Sequence, residues 1–374
     1  SSGRLLSVSR ASLQPGSLTA PGPDTTSTVV YQVPLTRADG GPYDLGPAAL
    51  ATWAQTRGPT DATAVFGPED VPTVTTATAS TPGPNGYKPA TVHYLDASGR
   101  EVNTATPVGP DAPAAGYIDT AEYDRYGNVV RSLDATNRLL ALGQLPTAAA
   151  DLTALSLTES DPPTRATALS TLNTYSADGI ELVRTRGPLL KLAIGNNPGD
   201  VRLAHDLTLN SYDEDKPDAV AYHLLTTTTN AVLIAGTSPE QLVDVEVTRN
   251  GYNPIDGAPA LGSTSGWVIG APTVVTGDAG TGGANLVARV RYDAQGRAVE
   301  ARKVEATGGD AGTAYYTAGA NAERTECGNS PSYAGLPCVT YPAGAVSGGD
   351  PTRMSDALPV KTVTAYNRYG SVAA

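Results

Sequence analysis

The sequence predicts an all-β protein assembled from repeated β-hairpins, with only a few short helices. Three observations carry that expectation. A tyrosine, an acid or amide and a glycine recur at fixed offsets in "YDAQGR" (292–297), "YDRYGN" (123–128) and "YNRYGS" (366–371), and more loosely in "YLDASGR" (94–100). The residues flanking these stretches alternate apolar and polar. The chain also holds 18 Tyr against one Phe, one Met and two Trp, with 40 Gly and 30 Pro. Aromatics that carry a hydroxyl suit half-buried sheet faces, and abundant Gly and Pro supply turns.

The hairpin is clearest in "LVARVRYDAQGRAVEARK" (286–303). Ala288, Val290 and Tyr292 share one face and Arg289 and Arg291 the other. Beyond the turn, Val299 and Ala301 alternate with Ala298, Glu300 and Arg302. Period two on both sides of a glycine turn is a hairpin signature. Each recurring residue type of the turn has a local reason. The Asp or Asn folds its side chain onto backbone N–H groups, the Gly supplies positive φ, and the Tyr packs beside the next hairpin.

Tyrosine-led corners start at Tyr94, Tyr123, Tyr175, Tyr212, Tyr252, Tyr292 and Tyr366, spaced by 29, 52, 37, 40, 40 and 74 residues. Several spacings approach multiples of about 20, the length of one hairpin. "TAYYTAG" (313–319) reads as a degenerate member inside the longest gap. A drifting unit of fixed size predicts a repeat architecture over 1–374, less regular in 1–85 and clearer in 86–374. A short helix is expected in "GPAALATWAQT" (46–56), with Trp53 inward. Another is expected in "SPEQLVD" (238–244), where Ser238, Pro239 and Gln241 resemble a capping box. "TRATALSTLNTYS" (164–176) fits helix or strand, and Val201/Leu203 and Val243/Val245/Val247 predict strands. Loops are expected at 253–265, 276–284, 307–313 and 342–352.

Net charge is −12 with no basic stripe, which argues against nucleic acid as a partner. No apolar run reaches the length of a membrane span. Residues 1–20 lack the charged start and apolar stretch of a signal peptide. Cys327 and Cys338 stand in "ECGNSPSYAGLPC", too far apart for a CxxC pair. A disulfide closing this loop is favoured over two free thiols, and would suit an oxidising compartment. Asp213, Asp215 and Asp218 in "YDEDKPD" have offsets that allow calcium, but lack the Gly and terminal Glu of an EF-hand, and turn capping is the stronger reading. The histidines His93, His205 and His223 form no ligand pattern, and no nucleophile elbow, P-loop or dinucleotide fingerprint occurs. No cofactor and no enzymatic activity are expected.

"YDRYGNVVRSLDATNRLLAL", "VRYDAQGRAVEARKV" and "AYNRYGSVAA" resemble YD repeats of the RHS/teneurin superfamily. "GPYDLGPAALATWAQTRGPTDATAVFGPEDVP", "VHYLDASGREVNTATP", "SGWVIGAPTVVT" and "ECGNSPSYAGLPC" are similar to actinobacterial RHS-repeat proteins in particular. The resemblance covers nearly the whole chain. It implies a continuous sheet that spirals into a hollow shell, which in bacterial members and Tc toxin components encloses a toxin. In teneurins it forms an adhesion scaffold. The resemblance assigns the repeat positions to Tyr94, Asp96, Gly99, Tyr123, Asp124, Gly127, Tyr175, Gly179, Tyr292, Asp293, Gly296, Tyr366, Asn367 and Gly370. The aspartyl self-cleavage motif and any toxin domain are missing, so the stretch is expected to be shell wall from a longer, secreted or cell-surface protein. Its partners would be other shell segments and an encapsulated toxin or cargo. Unpaired strand edges lead us to expect that the isolated piece associates. The rival reading is an extracellular adhesion or carbohydrate-binding scaffold in which Trp53 and Trp267 stack on surface glycans.

Overall fold

The computed structural model describes residues 4–70, 84–108, 113, 115–195, 197–254, 265–277, 286–302, 311–322, 324–342 and 362–373. The loops expected at 253–265, 276–284 and 342–352 lie largely outside them; of the loop expected at 307–313 the described part is corrected to strand, Ala311–Tyr315. The chain divides into two compact units, Ser1–Leu207 with Val232–Val243, and Thr208–Ala231 with Asp244–Ala374. The architecture is all-β, one antiparallel sheet with a few short helices.

In the first unit the strands are β1 (Ser7–Arg10), β2 (Thr25–Tyr31), β3 (Asp61–Phe66), β4 (Thr91–Leu95), β5 (Glu101–Ala105), β6 (Ile118–Tyr123), β7 (Val129–Leu133), β8 (Thr171–Tyr175) and β9 (Leu182–Arg186). Each pairs antiparallel with the next, β1 with β2 through to β8 with β9. β10 (Leu190–Ile194) and β9 both pair with β11 (Asn197–Tyr212). Period-two burial sets the core face. Ala62, Ala64 and Phe66 of β3, Val92 and Tyr94 of β4, and Ile118, Thr120 and Glu122 of β6 all point inward.

That face is covered by α1 (Pro47–Ala51), the turn after it, and three helices between β7 and β8: α2 (Ala135–Ala141), α3 (Ala148–Ala154) and α4 (Pro162–Ala168). The first helix fulfils the expectation for 46–56, and Trp53 is 2 % exposed. The ambiguous stretch 164–176 splits into the end of α4 and all of β8. Asp134 caps α2 by accepting from Asn137 N, and Asp161 caps α4 by accepting from Thr164 N. Leu139, Leu140, Leu152 and Ala166 then pack into the sheet core, each large apolar side chain contributing roughly 1.5–3 kcal/mol.

One helix expectation is corrected. Residues 238–244 form no helix: Ser238–Pro239 is a cis peptide, Gln241 N donates to Thr237 Oγ1, and Gln241 already opens the strand β13 (Gln241–Gly251). The alternating β-branched run Val243, Val245, Val247 outweighs the cap-like residues before it.

In the second unit, Thr208 and Thr228 of β11 and β12 (Leu225–Ile234) donate to Asn230 and Asn210 across the pair. There follow α5 (Gly266–Ile269), β14 (Val274–Gly277), β15 (Leu286–Tyr292), β16 (Ala298–Arg302), β17 (Ala311–Tyr315), β18 (Pro337–Pro342) and β19 (Thr362–Val363). From β13 to β19 each strand again pairs antiparallel with its successor. A small core gathers Tyr316, Cys327, Cys338 and Val339, with Tyr333 and Tyr366 against it. Cys327 and Cys338 are joined by a disulfide.

Candidate functional site: the stacked corners

At the repeats led by Leu95, Tyr123, Tyr175 and Tyr292 the strand ends in a bulge and a six-residue corner. In "YDAQGR", Asp293 N donates to Arg297 O and Gly296 N to Asp293 O, at 3.0 and 2.9 Å. The Asp293 carboxylate accepts from Gln295 N and Arg297 N at 2.9 Å through one oxygen and from Arg297 Nε at 2.8 Å through the other. Gly296 sits at φ +74°, which closes the corner. Asp96 does the same with Ser98, Arg100 and Gly99, and Asp124 with Tyr126, Asn128 and Gly127. Asn367 does so with Tyr369 and Ser371. At 175–181 the caps are Ser176 and Asp178 in place of a single Asp.

The carboxylates in these corners are electrostatically satisfied. Burial works to raise the Asp96 pKa, but the hydrogen bonds from Arg100 and Ser98 prevail and hold it below the usual carboxylate range. At Asp124 too the hydrogen bonds from Asn128, Tyr126 and Gly127 prevail over burial and lower the pKa, so these two acids are fixed acceptors.

The tyrosine has a separate task. A register shift falls immediately before Tyr123, Tyr175, Tyr292 and Tyr315, and before Leu95. Tyr123 Oη donates to Glu101 O at 2.9 Å, Tyr315 Oη to Ala298 O at 2.8 Å and Tyr366 Oη to Pro337 O at 3.0 Å. Each acceptor is the first residue of a strand in the preceding hairpin. Tyr252 and Tyr292 likewise reach Leu225 O and Pro272 O. At the corner of Tyr175 the equivalent carbonyl, Val129 O, is held by Asn173 Nδ2. Thus Tyr315, from the degenerate "TAYYTAG", is a working member of the set.

Corners also touch corners. Arg100 Nη1 donates to Asp124 O at 3.0 Å, and its guanidinium lies 5.0 Å from the Tyr123 ring. Asn128 Nδ2 donates to Gly179 O at 2.7 Å and Tyr126 Oη to Ala177 O at 2.9 Å. Gly179 lies so close under the Tyr126 ring that a Cβ there would meet Cδ2 at 2.2 Å. In the second unit Arg297 lies 4.3 Å from the Tyr315 ring centre. The repeat thus forms a ladder of hydrogen-bonded corners.

Several residues depart from expectation. Tyr94 is not the corner tyrosine of its repeat. Leu95 holds that place, one residue nearer Asp96, and pleat alternation sends Tyr94 into the core at 0 % exposure. Asp213 and Asp218, by contrast, act as backbone caps, the stronger of the two readings of "YDEDKPD". Asp213 accepts from the N–H groups of Tyr222, His223 and Leu224, and Asp218 from Val220 N and Tyr222 Oη. Among the described residues no group of three His, Cys, Asp or Glu is placed to hold a metal. Neither tryptophan offers a platform to a sugar. Trp53 is buried beneath Arg138, with Nε1 donating to Gln55 Oε1, and Trp267 is buried between Tyr222 and Tyr252, with Nε1 donating to Asn253 Oδ1.

A buried polar network was missed by sequence reasoning. Arg131 of β7 donates to Glu122 Oε2 at 2.7 Å, Trp53 O, Ala54 O and Ser170 Oγ. Glu122 Oε1 accepts from Thr56 N and Thr56 Oγ1, and Gln55 pairs with Asn103, which donates on to Thr120. This network ties residues 53–57 to β5, β6 and β7. Thr120, Glu122 and Arg131 at period-two positions were the only sequence signal: polar residues on a face that otherwise reads as core.

Among the described residues no helix is long and apolar enough to cross a membrane. No family model matches the chain, and no curated protein matches it. Solved structures similar to it are toxin-complex chains. "TcdB2-TccC3-TEV" is 13% identical over 93% of this chain, with a TM-score of 0.17, and "TcdB2-TccC3-Cdc42" is 13% identical over 93%, with a TM-score of 0.20. The Photorhabdus luminescens Tc holotoxin pore is 12% identical over 93%, with a TM-score of 0.17. This chain spans 18% to 21% of the length of those chains. At such scores the likeness carries no weight for function, and the reading below rests on the chain's own residues.

Proposed function

We propose that this chain is a non-enzymatic wall segment of a larger RHS-type β shell that encloses a polypeptide cargo such as a toxin. The observation that carries the reading is the corner ladder. Successive hairpins are hydrogen-bonded through strands, through the hydroxyls of Tyr123, Tyr252, Tyr292, Tyr315 and Tyr366 and, at Arg100, Tyr126 and Asn128, through the corner itself. Such a unit is built for lateral extension. The carboxylates that general acid–base chemistry would need are committed to backbone donors, as at Asp96, Asp124 and Asp213, or to Arg131, as at Glu122. The Cys327–Cys338 disulfide supports a place outside the reducing cytosol.

Electron microscopy of the intact parent particle tests the proposal. A hollow β shell with density inside is the expected result. An open or empty β superhelix would overturn encapsulation and favour a surface scaffold.

A further inference from the structure

Arg138 of α2 is a buried cation without a counter-charge among the described residues. It is 2 % exposed. Its Nη atoms donate to Ala115 O and Gly116 O at 3.2–3.4 Å, and its guanidinium faces the Trp53 ring at 4.2 Å. Carbonyls and a π face cannot neutralise it. No described carboxylate pairs with it, and its Nε is buried without a partner among the described residues.

Three phenols belong to the buried cluster that holds Trp53, the ring under Arg138. Tyr43 precedes α1, Tyr87 ends the turn Pro84–Tyr87, and Tyr94 lies in β4; all three are buried. The Oη of each lacks a hydrogen-bond partner among the described residues. Tyr43 packs on Gly116, the residue whose carbonyl Arg138 holds, so tightly that a Cβ at Gly116 would stand 2.2 Å from Cε1. The charge of Arg138 acts on both Tyr43 and Tyr94, and Tyr94 in turn feels Tyr43 and Tyr87.

Natural interiors pair such groups, because an unpaired buried charge and an orphaned hydroxyl are each strongly unfavourable. The phenols do not supply the missing charge. Burial raises their pKa values, so they stay protonated and act as donors. One cation and three O–H donors call for an acceptor that carries one negative charge. We propose that Arg138 and the hydroxyls of Tyr43, Tyr87 and Tyr94 form a buried site for a small monovalent anion of halide type. A single guanidinium balances one charge, whereas phosphate or sulfate would bring two into a core that otherwise gathers Leu45, Trp53 and other apolar side chains.

The test uses the whole 374-residue chain. Thermal unfolding is followed in sodium chloride and in sodium gluconate at equal ionic strength, and crystals grown in sodium bromide are measured at the bromine edge. The expected results are a saturable rise in Tm in chloride alone and an anomalous peak within hydrogen-bond reach of Arg138. Tyr94→Phe keeps the ring and should raise the half-saturating chloride concentration about tenfold. Arg138→Met should remove the chloride response; if it does not fold, the bromide peak and the two salt series still decide. Equal Tm in both salts, or ordered water in place of bromide, would overturn the proposal. So would an unchanged salt response accompanied by a loss of Tm in Asp111→Asn, which would identify a carboxylate of the chain as the counter-charge; Asp111 lies outside the described residues.

Discussion

Asp293 and Asn367 cap equivalent corners, one charged and one neutral, through the same pair of backbone N–H groups. The cap therefore depends on an accepting oxygen more than on charge. Asp293→Ala should cost about 1–2 kcal/mol in urea unfolding, within the range for lost caps, and Asp293→Asn much less. Glycine substitutions separate strain from collision. Gly127 stands at φ +93° with open space where a Cβ would go, so Gly127→Ala should lose roughly 1–2 kcal/mol of stability to backbone strain alone. Gly179 adds the Tyr126 ring at 2.2 Å, and Gly179→Ala should cost distinctly more. The buried pair Glu122–Arg131 gives a pH signature. Burial works to raise the Glu122 pKa, but Thr56 and Arg131 hold it below its ordinary value. A folded pKa below the unfolded one stabilises above the unfolded value, and that stability is lost as pH falls from about 4.5 through the folded value. Glu122→Gln should be less stable at pH 7 by about 3 kcal/mol and show a flatter acid limb in a series of urea melts.

A hairpin corner is legible in sequence because its donors and acceptors lie within six residues, as Asp124 to Asn128 shows. The partner of the repeated tyrosine is not, since Glu101 O lies 22 residues before Tyr123. Tyr123→Phe should isolate that clamp at about 1 kcal/mol, read by the same unfolding. Of the helices between β7 and β8, α2 and α3 have no counterpart in the sequence reading, because short helices owe their stability to packing rather than propensity. Asp134 as cap and Gly143 at φ +69° just beyond α2 were the local signals present. Burial of Trp53 and Trp267 is set by tertiary partners, Arg138 for one and Tyr222 and Tyr252 for the other, that no local pattern encodes. The insertion between β17 and β18 is held by the Cys327–Cys338 bridge and by Thr317 N to Cys327 O and Asn329 N to Gly319 O. Closing so short a loop contributes roughly 2–3 kcal/mol in the chain-entropy model. Reduction should therefore speed amide exchange at Thr317 and Asn329, with little change in β3 to β6.

Within each compact unit, strands pair chiefly with their neighbours in sequence, so stability should be local in the manner of repeat proteins. Leu133 tests this. It is 1 % exposed at the end of β7, shares the core of the first unit, and pairs with Thr120. Leu133→Ala should cost about 2–5 kcal/mol as a core truncation. The loss should appear in hydrogen exchange as faster amides in β6, β7, β8 and the helices between them, because those elements share the vacated space and the Arg131–Glu122 network beside it. Amides of β15 to β18 should keep wild-type rates, since these strands lie in the other unit, where Ala314, Val339 and Tyr341 pack around the disulfide and Tyr316. A uniform loss of protection through both units would mean that the chain opens as one cooperative body, and the modular account of the sheet would fall with it.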